Sequence, residues 1–209
     1  MFILALISLS ASQITEFPRW PDTFRQTFNE TFKYPGGKDH TTQGTFYYNW
    51  VNKTYRVDRD NGRYDRYCGF NSFKYWKNTP CNQYVVNGDR FIHYPALNEC
   101  CYCCSAEHGC GILKPDWMSG AQFFGIEDHI GNQAYKWDQK GLQHNYYYET
   151  VAEKNTERVM LGIYQEPNDY QDFHLPREVP TMEDFQLPSI CSKKSYCSLA
   201  STCTAVRWS

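Results

Sequence analysis

The chain has 209 residues, of which 41% are hydrophobic and 21% charged, and its formal net charge at pH 7 is -2. A chain of this length forms one large domain or two small ones, and no Ser/Gly/Pro-rich linker divides it. Because acidic and basic residues are mixed along the sequence, no basic face is available for phosphates, which argues against nucleic acid as a partner.

Residues 1–12, MFILALISLSAS, resemble a secretory signal peptide, because an uncharged apolar run ends in the small residues Ser10 and Ser12. About ten apolar residues are too few to span a bilayer, which needs roughly twenty, and no later segment is longer. We therefore expect a protein without a transmembrane segment that is secreted to the extracellular space or the lumen of the secretory pathway. A buried N-terminal strand is the alternative.

Two N-x-Thr sequons agree with secretion. Asn29 and Asn52 are each followed two residues later by threonine, and neither triplet has proline in the middle. Both asparagines are candidate glycosylation sites.

Aromatic residues make up 17% of the chain, with 17 Tyr, 13 Phe and 6 Trp, and this bias favours strands. Phe24, Phe28 and Phe32 recur every four positions, a spacing that suits a helix face or alternate inward positions of a strand. The interleaved threonines favour the strand. In that case the three phenylalanines point inward and Asn29 points outward.

Alternating patterns predict further strands along the chain. Phe46, Tyr48 and Trp50 share one face, and Tyr55 and Val57 follow before an Asn-Gly hairpin signal at 61–62. Other strands are predicted at 83–86, 89–93, 120–125, 133–138, 144–150, 158–164 and 169–173. The run LKPDWMSGA at 113–121 is predicted to be a loop that leads into a short helical turn. We expect a mainly β fold with a single antiparallel sheet of roughly eight to eleven strands, strongly curved or closed, because an open sheet of that size would expose too much apolar surface.

An even number of cysteines in a secreted chain predicts a disulfide framework. Neighbouring cysteines seldom bond each other, so the bridges of the cluster at 100–104 are expected to go outward. The candidate partners are the cysteines at 68 and 81 and the three near the C-terminus, and the sequence does not fix the connectivity. The ten cysteines are Cys68, Cys81, Cys100, Cys101, Cys103, Cys104, Cys110, Cys191, Cys197 and Cys203.

Two other interpretations of the cluster stay open. Cys101, Cys104, His108 and Cys110 could ligate zinc, although the ligand pairs of structural zinc sites usually come from two separate elements. C-x-x-C spacing occurs at 100–103 and 101–104, but no βαβ pattern surrounds it as in a thioredoxin-like catalyst.

The order of landmarks resembles a family of secreted proteins. YYNW is followed by NGRYD, GCGILKPDWMSGAQFFG, GNQAYKWDQ, LQHNYYYET and LPSICSKKSYC. This order, over residues 41–197, resembles secreted plant and protist proteins with a PDWL-x-GA-x-(Y/F)-x-G element, which are similar to the ependymin-related and LolA-like group. Here the motif residues are Pro115, Asp116, Trp117, Gly120, Ala121 and Gly125. The resemblance implies a half-open β-barrel around a hydrophobic cavity, with short helices and disulfide-rich loops, over 13–190, followed by a cysteine-containing tail at 191–209.

The chain departs from that family at two places. Ala134 stands where many relatives have a cysteine, and the cysteine cluster is additional, so the bridges cannot be copied from relatives. Some plant relatives are labelled glycosyl transferases, but no residue here supports that activity. Ependymin-type relatives are associated with calcium, for which Asp58, Asp60 and Asp65 are candidates, although the arginines around them oppose cation binding.

A curved sheet with aromatic residues on its concave face can enclose an apolar pocket for a lipid or acyl chain. The alternative is that the same side chains interlock as a solid core. The candidate lining residues are Phe46, Tyr48, Trp50, Phe91, Phe123, Tyr135, Trp137, Tyr146 and Tyr148.

We therefore predict a non-enzymatic binding protein for a hydrophobic ligand, without a cofactor. The alternative is a self-associating structural subunit of an extracellular matrix or fibre-like assembly, in which the C-terminal cysteines contact other chains. An enzyme is the third class, but no G-x-S-x-G, H-E-x-x-H or P-loop motif occurs. The histidines are scattered, and each is predicted to be a surface or structural residue: His40, His93, His108, His129, His144 and His174.

Overall fold

Eleven β-strands account for most of the fold in this computed structural model, which describes residues 16–33, 37–60, 65, 67–68, 79–140, 144–198, 201 and 203. The predicted signal peptide and the Asn-Gly turn at 61–62 lie outside these ranges. The strands are β1 Thr23–Lys33, β2 Asp39–Asn49, β3 Thr54–Arg59, β4 Cys81–Val86, β5 Asp89–Tyr94, β6 Glu99–Ser105, β7 Gln122–His129, β8 Asn132–Lys140, β9 His144–Thr150, β10 Met160–Gln165 and β11 Asp169–Phe173. The 3₁₀ helices are Pro95–Leu97, Ala106–His108, Asn155–Glu157 and Met182–Phe185. No helix among the described residues is long and apolar enough to cross a membrane.

All eleven strands belong to one antiparallel sheet, in the order β6-β5-β4-β3-β2-β1-β11-β10-β9-β8-β7. The prediction of a mainly β fold with a single antiparallel sheet is confirmed. Two meanders, β1 to β6 and β7 to β11, join where β1 pairs with β11. The sheet is not closed into a barrel, because β6 and β7 form its two opposite edges.

Alternation along the strands collects large aromatic residues on one face of the sheet. Phe24 and Phe28 on β1 are buried in the main core on this face, whereas Thr27 between them is exposed. Trp20, just before β1, donates a hydrogen bond from Nε1 to Tyr147 Oη at 3.1 Å. Tyr147 lies on β9, three strands away from β1 in the sheet. This contact requires the sheet to curve, and the aromatic face is therefore its concave face.

Most predicted strands occur where the sequence places them. The segments 83–86, 89–93, 133–138, 144–150 and 169–173 lie within β4, β5, β8, β9 and β11, while β7 and β10 each begin two residues later than predicted. Asn29 has the opposite parity to Phe28, as predicted, but Phe32 near the end of β1 is only half-buried.

One strand was not predicted. β6 contains most of the cysteine cluster, and its burial does not alternate. Cys100 packs in a cluster on the convex face, whereas Cys103 packs in a second cluster formed mainly by the other disulfides. Because sulfur bridges bury residues on both faces of β6, the pattern that identifies a half-buried strand is missing.

Residues 106–121, here called the connecting segment, join the two edges of the sheet and cross its concave face. Tyr48 Oη donates to Leu113 O at 2.8 Å, and Trp20 N donates to Pro115 O at 2.9 Å. The Trp117 ring lies 5.6 Å from the Trp20 ring and 5.9 Å from that of Tyr147. Consecutive turns follow from 115 to 120, in agreement with the predicted helical turn. The PDW motif thus anchors this segment in the aromatic core.

All ten cysteines form disulfides, which confirms the predicted framework. The pairs are Cys68–Cys81, Cys100–Cys191, Cys101–Cys197, Cys103–Cys203 and Cys104–Cys110, with Cα–Cα distances from 4.7 to 5.6 Å. These distances lie in the usual range for disulfides. The zinc and C-x-x-C interpretations do not fit, because the sulfurs they require are bonded to other sulfurs and leave no thiolate.

The structure gives the connectivity, which the sequence left open. Three cysteines of β6 pair with the C-terminal three, as expected, but Cys68 and Cys81 pair with each other. The bridges lay the C-terminal segment along the edge of β6, where Tyr102 N donates to Ser195 O at 2.6 Å and Cys197 N donates to Tyr102 O at 2.9 Å. This contact pairs the backbone groups of Tyr102, in the middle of an edge strand that would otherwise present them unpaired.

Removal of one C-terminal bridge should cost much less stability than removal of all three. Cys101–Cys197 closes a separation of 96 residues, but Cys100–Cys191 already holds the same two segments together. We expect the double substitution Cys101→Ser with Cys197→Ser to lower the free energy of unfolding by about 2 kcal/mol, and removal of all three pairs to lower it more than twice as much. Urea unfolding measures both. An equal loss of unfolding free energy in the two variants would contradict the idea that the three bridges hold the same two segments together.

Candidate functional site

A cavity of about 290 Å³ lies on the concave face and is partly open to solvent. It receives residues from seven neighbouring strands, from β5 at one end to β10 at the other. On a flat sheet these two strands would lie about 29 Å apart, so the curvature of the sheet creates the cavity. The apolar wall consists of Trp20, Phe28, Phe46, Tyr48, Tyr55, Val57, Tyr67, Ile112, Leu113, Ile163 and Phe173.

Gly44 shapes this wall by leaving room for an aromatic ring. It lies opposite Phe28 in the β1–β2 pair. A Cβ atom at this position would lie 2.7 Å from Phe28 Cζ and 2.2 Å from the backbone oxygen of Asp58, both closer than real contacts allow. The missing side chain therefore lets the Phe28 ring lie across β2 beside the cavity.

A buried ion cluster borders the cavity at its polar side. Arg59 Nη1 donates to Glu30 Oε2 at 2.6 Å and to Asp65 Oδ2 at 2.8 Å, and all three side chains are at most 3% exposed. Gln171 Nε2 donates to the same Glu30 oxygen at 3.0 Å. Burial alone would lower the pKa of Arg59, but the charges of Asp65 and Glu30 raise it above its ordinary value. The guanidinium is therefore charged in the folded protein.

The nine predicted lining residues are distributed over three places. Two of them, Phe46 and Tyr48, line the cavity. Four pack in or against the main core: Trp50, Phe123, Tyr135 and Trp137. Three lie in clusters on the convex face: Phe91, Tyr146 and Tyr148.

The strand register explains why the convex-face residues do not reach the cavity. Trp137 on β8 pairs with Tyr147 on β9, so these two share the concave face. Tyr146 and Tyr148 then point the other way, and the Tyr148 ring stacks on His129 with 4.1 Å between ring centroids. The run of three tyrosines has no polar residue that marks its inward side, and the prediction chose the wrong parity.

Four polar members of the wall were not predicted: Arg59, Gln83, Arg90 and Gln171. The alternation that places Tyr55 and Val57 inward continues to Arg59. The alternating pattern therefore places Arg59 on the inward face of β3. It was not predicted because a charged side chain is not expected in the wall of an apolar pocket.

The calcium candidates are not brought together. Asp58 accepts two hydrogen bonds from Arg56, at 2.6 and 2.7 Å, and Asp65 is paired with Arg59. Arg59 faces the cavity, whereas Asp58, next to it on β3, points to the opposite face. Asp60 is exposed. Arginine side chains thus neutralise two of the three carboxylates, Asp58 and Asp65.

The six histidines lie away from the cavity wall. His129 is buried on the convex face, with Nε2 3.3 Å from Leu161 O and 3.4 Å from Asp172 Oδ1. Its neighbour Asp128 accepts a hydrogen bond from Gly131 N instead, so the two do not form a dyad. His144 Nδ1 lies 3.0 Å from Asp138 Oδ2.

A second buried ion pair has a structural role. Glu149 Oε1 accepts hydrogen bonds from Trp137 Nε1 and Arg158 Nη1, both at 3.1 Å. Burial raises the pKa of Glu149 to about 7, against the opposing effect of the Arg158 charge. Arg158 Nη1 also donates to Glu16 O at 3.0 Å, so the pair fixes the segment that precedes β1. Neither side chain is part of the cavity wall.

No protein-family model matches the chain, and the comparison with curated proteins found no match. Among solved structures, an uncharacterised conserved protein from Thermus thermophilus has 7% identity, a TM-score of 0.48 and coverage of 80% of this chain and 86% of that one. A LolA superfamily protein from Nitrosomonas europaea has 8% identity, a TM-score of 0.41 and coverage of 81% and 92%. A DUF1329 family protein from Desulfovibrio piger has 10% identity, a TM-score of 0.36 and coverage of 83% and 92%. These likenesses are too distant to assign residue roles.

Breaking the ion cluster beside the cavity should destabilise the protein strongly. Arg59→Met leaves the Glu30 and Asp65 carboxylates buried without their cation, and we expect the free energy of unfolding to fall by about 3 to 5 kcal/mol. Arg56→Met is the matched control, because it removes an arginine from the partly exposed pair on the other face of β3, where about 1 kcal/mol or less is expected. Similar losses in the two variants, measured by urea unfolding, would contradict the buried cluster.

Proposed function

We propose that the protein is a secreted binding protein that holds a lipid, acyl chain or other hydrophobic molecule in the cavity of its concave face. The observation that carries this proposal is the partly open cavity, whose wall contains eleven aromatic or aliphatic residues. Pockets for small ligands are concave and mostly apolar, with a few placed polar groups. No catalytic step is part of the proposal.

The size of the cavity limits the ligand. A methylene group takes about the volume of one water molecule in the liquid, roughly 30 Å³, so a cavity of about 290 Å³ holds on the order of ten heavy atoms. Burying ten methylenes gives about 8 kcal/mol before the costs of association. A medium-length chain fits the cavity, whereas a long one would extend past its rim.

Secretion is proposed from the state of the cysteines and from the leader-like N-terminus. The chain has five disulfides. Disulfides form and persist in oxidising compartments and are rare in cytosolic proteins. Of the two sequons, Asn52 lies exposed in the turn after β2, whereas Asn29 is half-buried between Gln43 and Asp172 in the sheet. Asn52 is therefore the better candidate for a glycan.

Filling the cavity should block binding. In Val57→Phe the larger side chain takes up part of the cavity, and we expect the affinity for 1-aminonaphthalene, a neutral fluorophore of a size that the cavity can hold, to fall by about tenfold or more. Val51→Phe, at an exposed position in the turn after β2, is the matched control and should bind like the native protein. Fluorescence titration measures all three. If native protein fails to bind the probe, or a folded Val57→Phe binds it equally well, the proposed function is wrong.

A structural subunit is the second candidate function, and strand β7, not the C-terminal cysteines, is the feature that supports it. The C-terminal cysteines are all bonded within the chain, so they cannot join it to another. The feature that favours assembly is the edge strand β7, where Phe124 is 52% and Ile126 54% exposed. Sedimentation equilibrium should then show a self-associating species that Ile126→Lys converts to monomer. A monomeric native protein at micromolar concentration would exclude this route.

A further inference from the structure

Three polar side chains form a row along one wall of the cavity: Arg59 on β3, Gln83 on β4 and Arg90 on β5. Arg59 pairs with Cys81 across β3 and β4, and Gln83 lies two residues after Cys81 on β4. Gln83 in turn pairs with Ile92, and Arg90 lies two residues before Ile92 on β5. The three side chains are therefore diagonal neighbours on the same face of the sheet. Diagonal neighbours of this kind lie roughly 7–8 Å apart. The row therefore presents its polar atoms to one region of the cavity.

Each member of this row has a buried N–H group for which the described residues provide no acceptor. The atoms are Arg59 Nε, Gln83 Nε2 and Arg90 Nε. Gln83 is only 4% exposed, and it lines the cavity. Native proteins satisfy the great majority of their buried donors. An acceptor group placed in the cavity would complete the hydrogen bonding of the row.

The charges around the row favour an acceptor with one negative charge. Glu30 and Asp65 already neutralise Arg59, and neither belongs to the cavity wall. Arg90 forms no ion pair with any carboxylate in the described ranges, and its guanidinium carbon lies 5.8 Å from the centroid of the Tyr55 ring. One such guanidinium matches the single charge of a carboxylate better than a phosphate monoester, which carries about two charges at neutral pH.

We propose that the ligand is a medium-chain carboxylate, of on the order of ten carbons, whose head group binds Arg90 and Gln83. Its two oxygens accept hydrogen bonds from the guanidinium and from the amide, a charge-assisted arrangement that arginine geometry favours. Its tail lies against the aromatic wall formed by Phe28, Phe46 and Phe173. This inference rests on the proposed function, because it names the ligand class of the same cavity.

Decanoate and 1-decanol have the same tail and differ in the head group, so they test the two proposals separately. Isothermal titration of the full chain at pH 7.5 should show that decanoate binds about tenfold more tightly than the alcohol. In Arg90→Met we expect decanoate to lose about tenfold in affinity and decanol to change by less than about twofold. Gln83→Leu should weaken decanoate binding in the same direction.

Arg25→Met is the matched control, because this exposed arginine pairs with Glu178 away from the cavity. It should bind both molecules like the native protein. Near-ultraviolet circular dichroism establishes that each variant is folded, and Gln83→Leu carries the test if Arg90→Met does not fold.

Three results would overturn the head-group assignment while leaving the hydrophobic cavity in place. They are equal affinity for acid and alcohol in the native protein, a preference for decanoate that survives in folded Arg90→Met or Gln83→Leu, and tighter binding of decyl phosphate than of decanoate. If neither decanoate nor decanol binds, the proposed function fails together with this inference.

Discussion

The structure depends on one packing constraint, the contact of the connecting segment with the concave face. β6 and β7 are consecutive strands in the chain but lie at opposite edges of an eleven-strand sheet. The segment between them buries Met118 and packs Trp117 against Trp20. Because rings before β1, on β2 and on β9 gather around this segment, the sheet has to bend. Residues 109 to 113 of the same segment form one side of the cavity, so the interaction that curves the sheet also shapes the site.

Much of the fold is predictable because aromatic residues at alternate positions indicate both where a strand lies and which of its faces is buried. Parity could be predicted where small or polar residues separate the rings, as at Phe24 and Phe28, and not in the run Tyr146 to Tyr148, where every position is aromatic. β6 was missed because disulfides bury its cysteines on both faces. The cavity residues were mostly missed because they depend on curvature, which brings β5 near β10 and which period-two patterns do not encode.

A gain in stability does not explain why charged side chains, and not apolar ones, occupy the polar side of the cavity. A buried ion pair stabilises a protein little more than well-packed apolar side chains of similar volume. We therefore infer that the cluster of Arg59 with Glu30 and Asp65 positions the polar row on the cavity wall. It holds one end of the row in a fixed place while Gln83 and Arg90 remain open to the cavity. Apolar rings and polar N–H groups thus face the same cavity.

The covered edge of β6 limits how chains of this protein can combine. With the C-terminal segment lying along that edge, β7 is the edge strand through which another chain can extend the sheet. Pairing of two identical edges is isologous, and it uses up the free edge of both partners. Strand addition through β7 alone therefore stops at a two-fold symmetric pair and does not continue into an open-ended fibre.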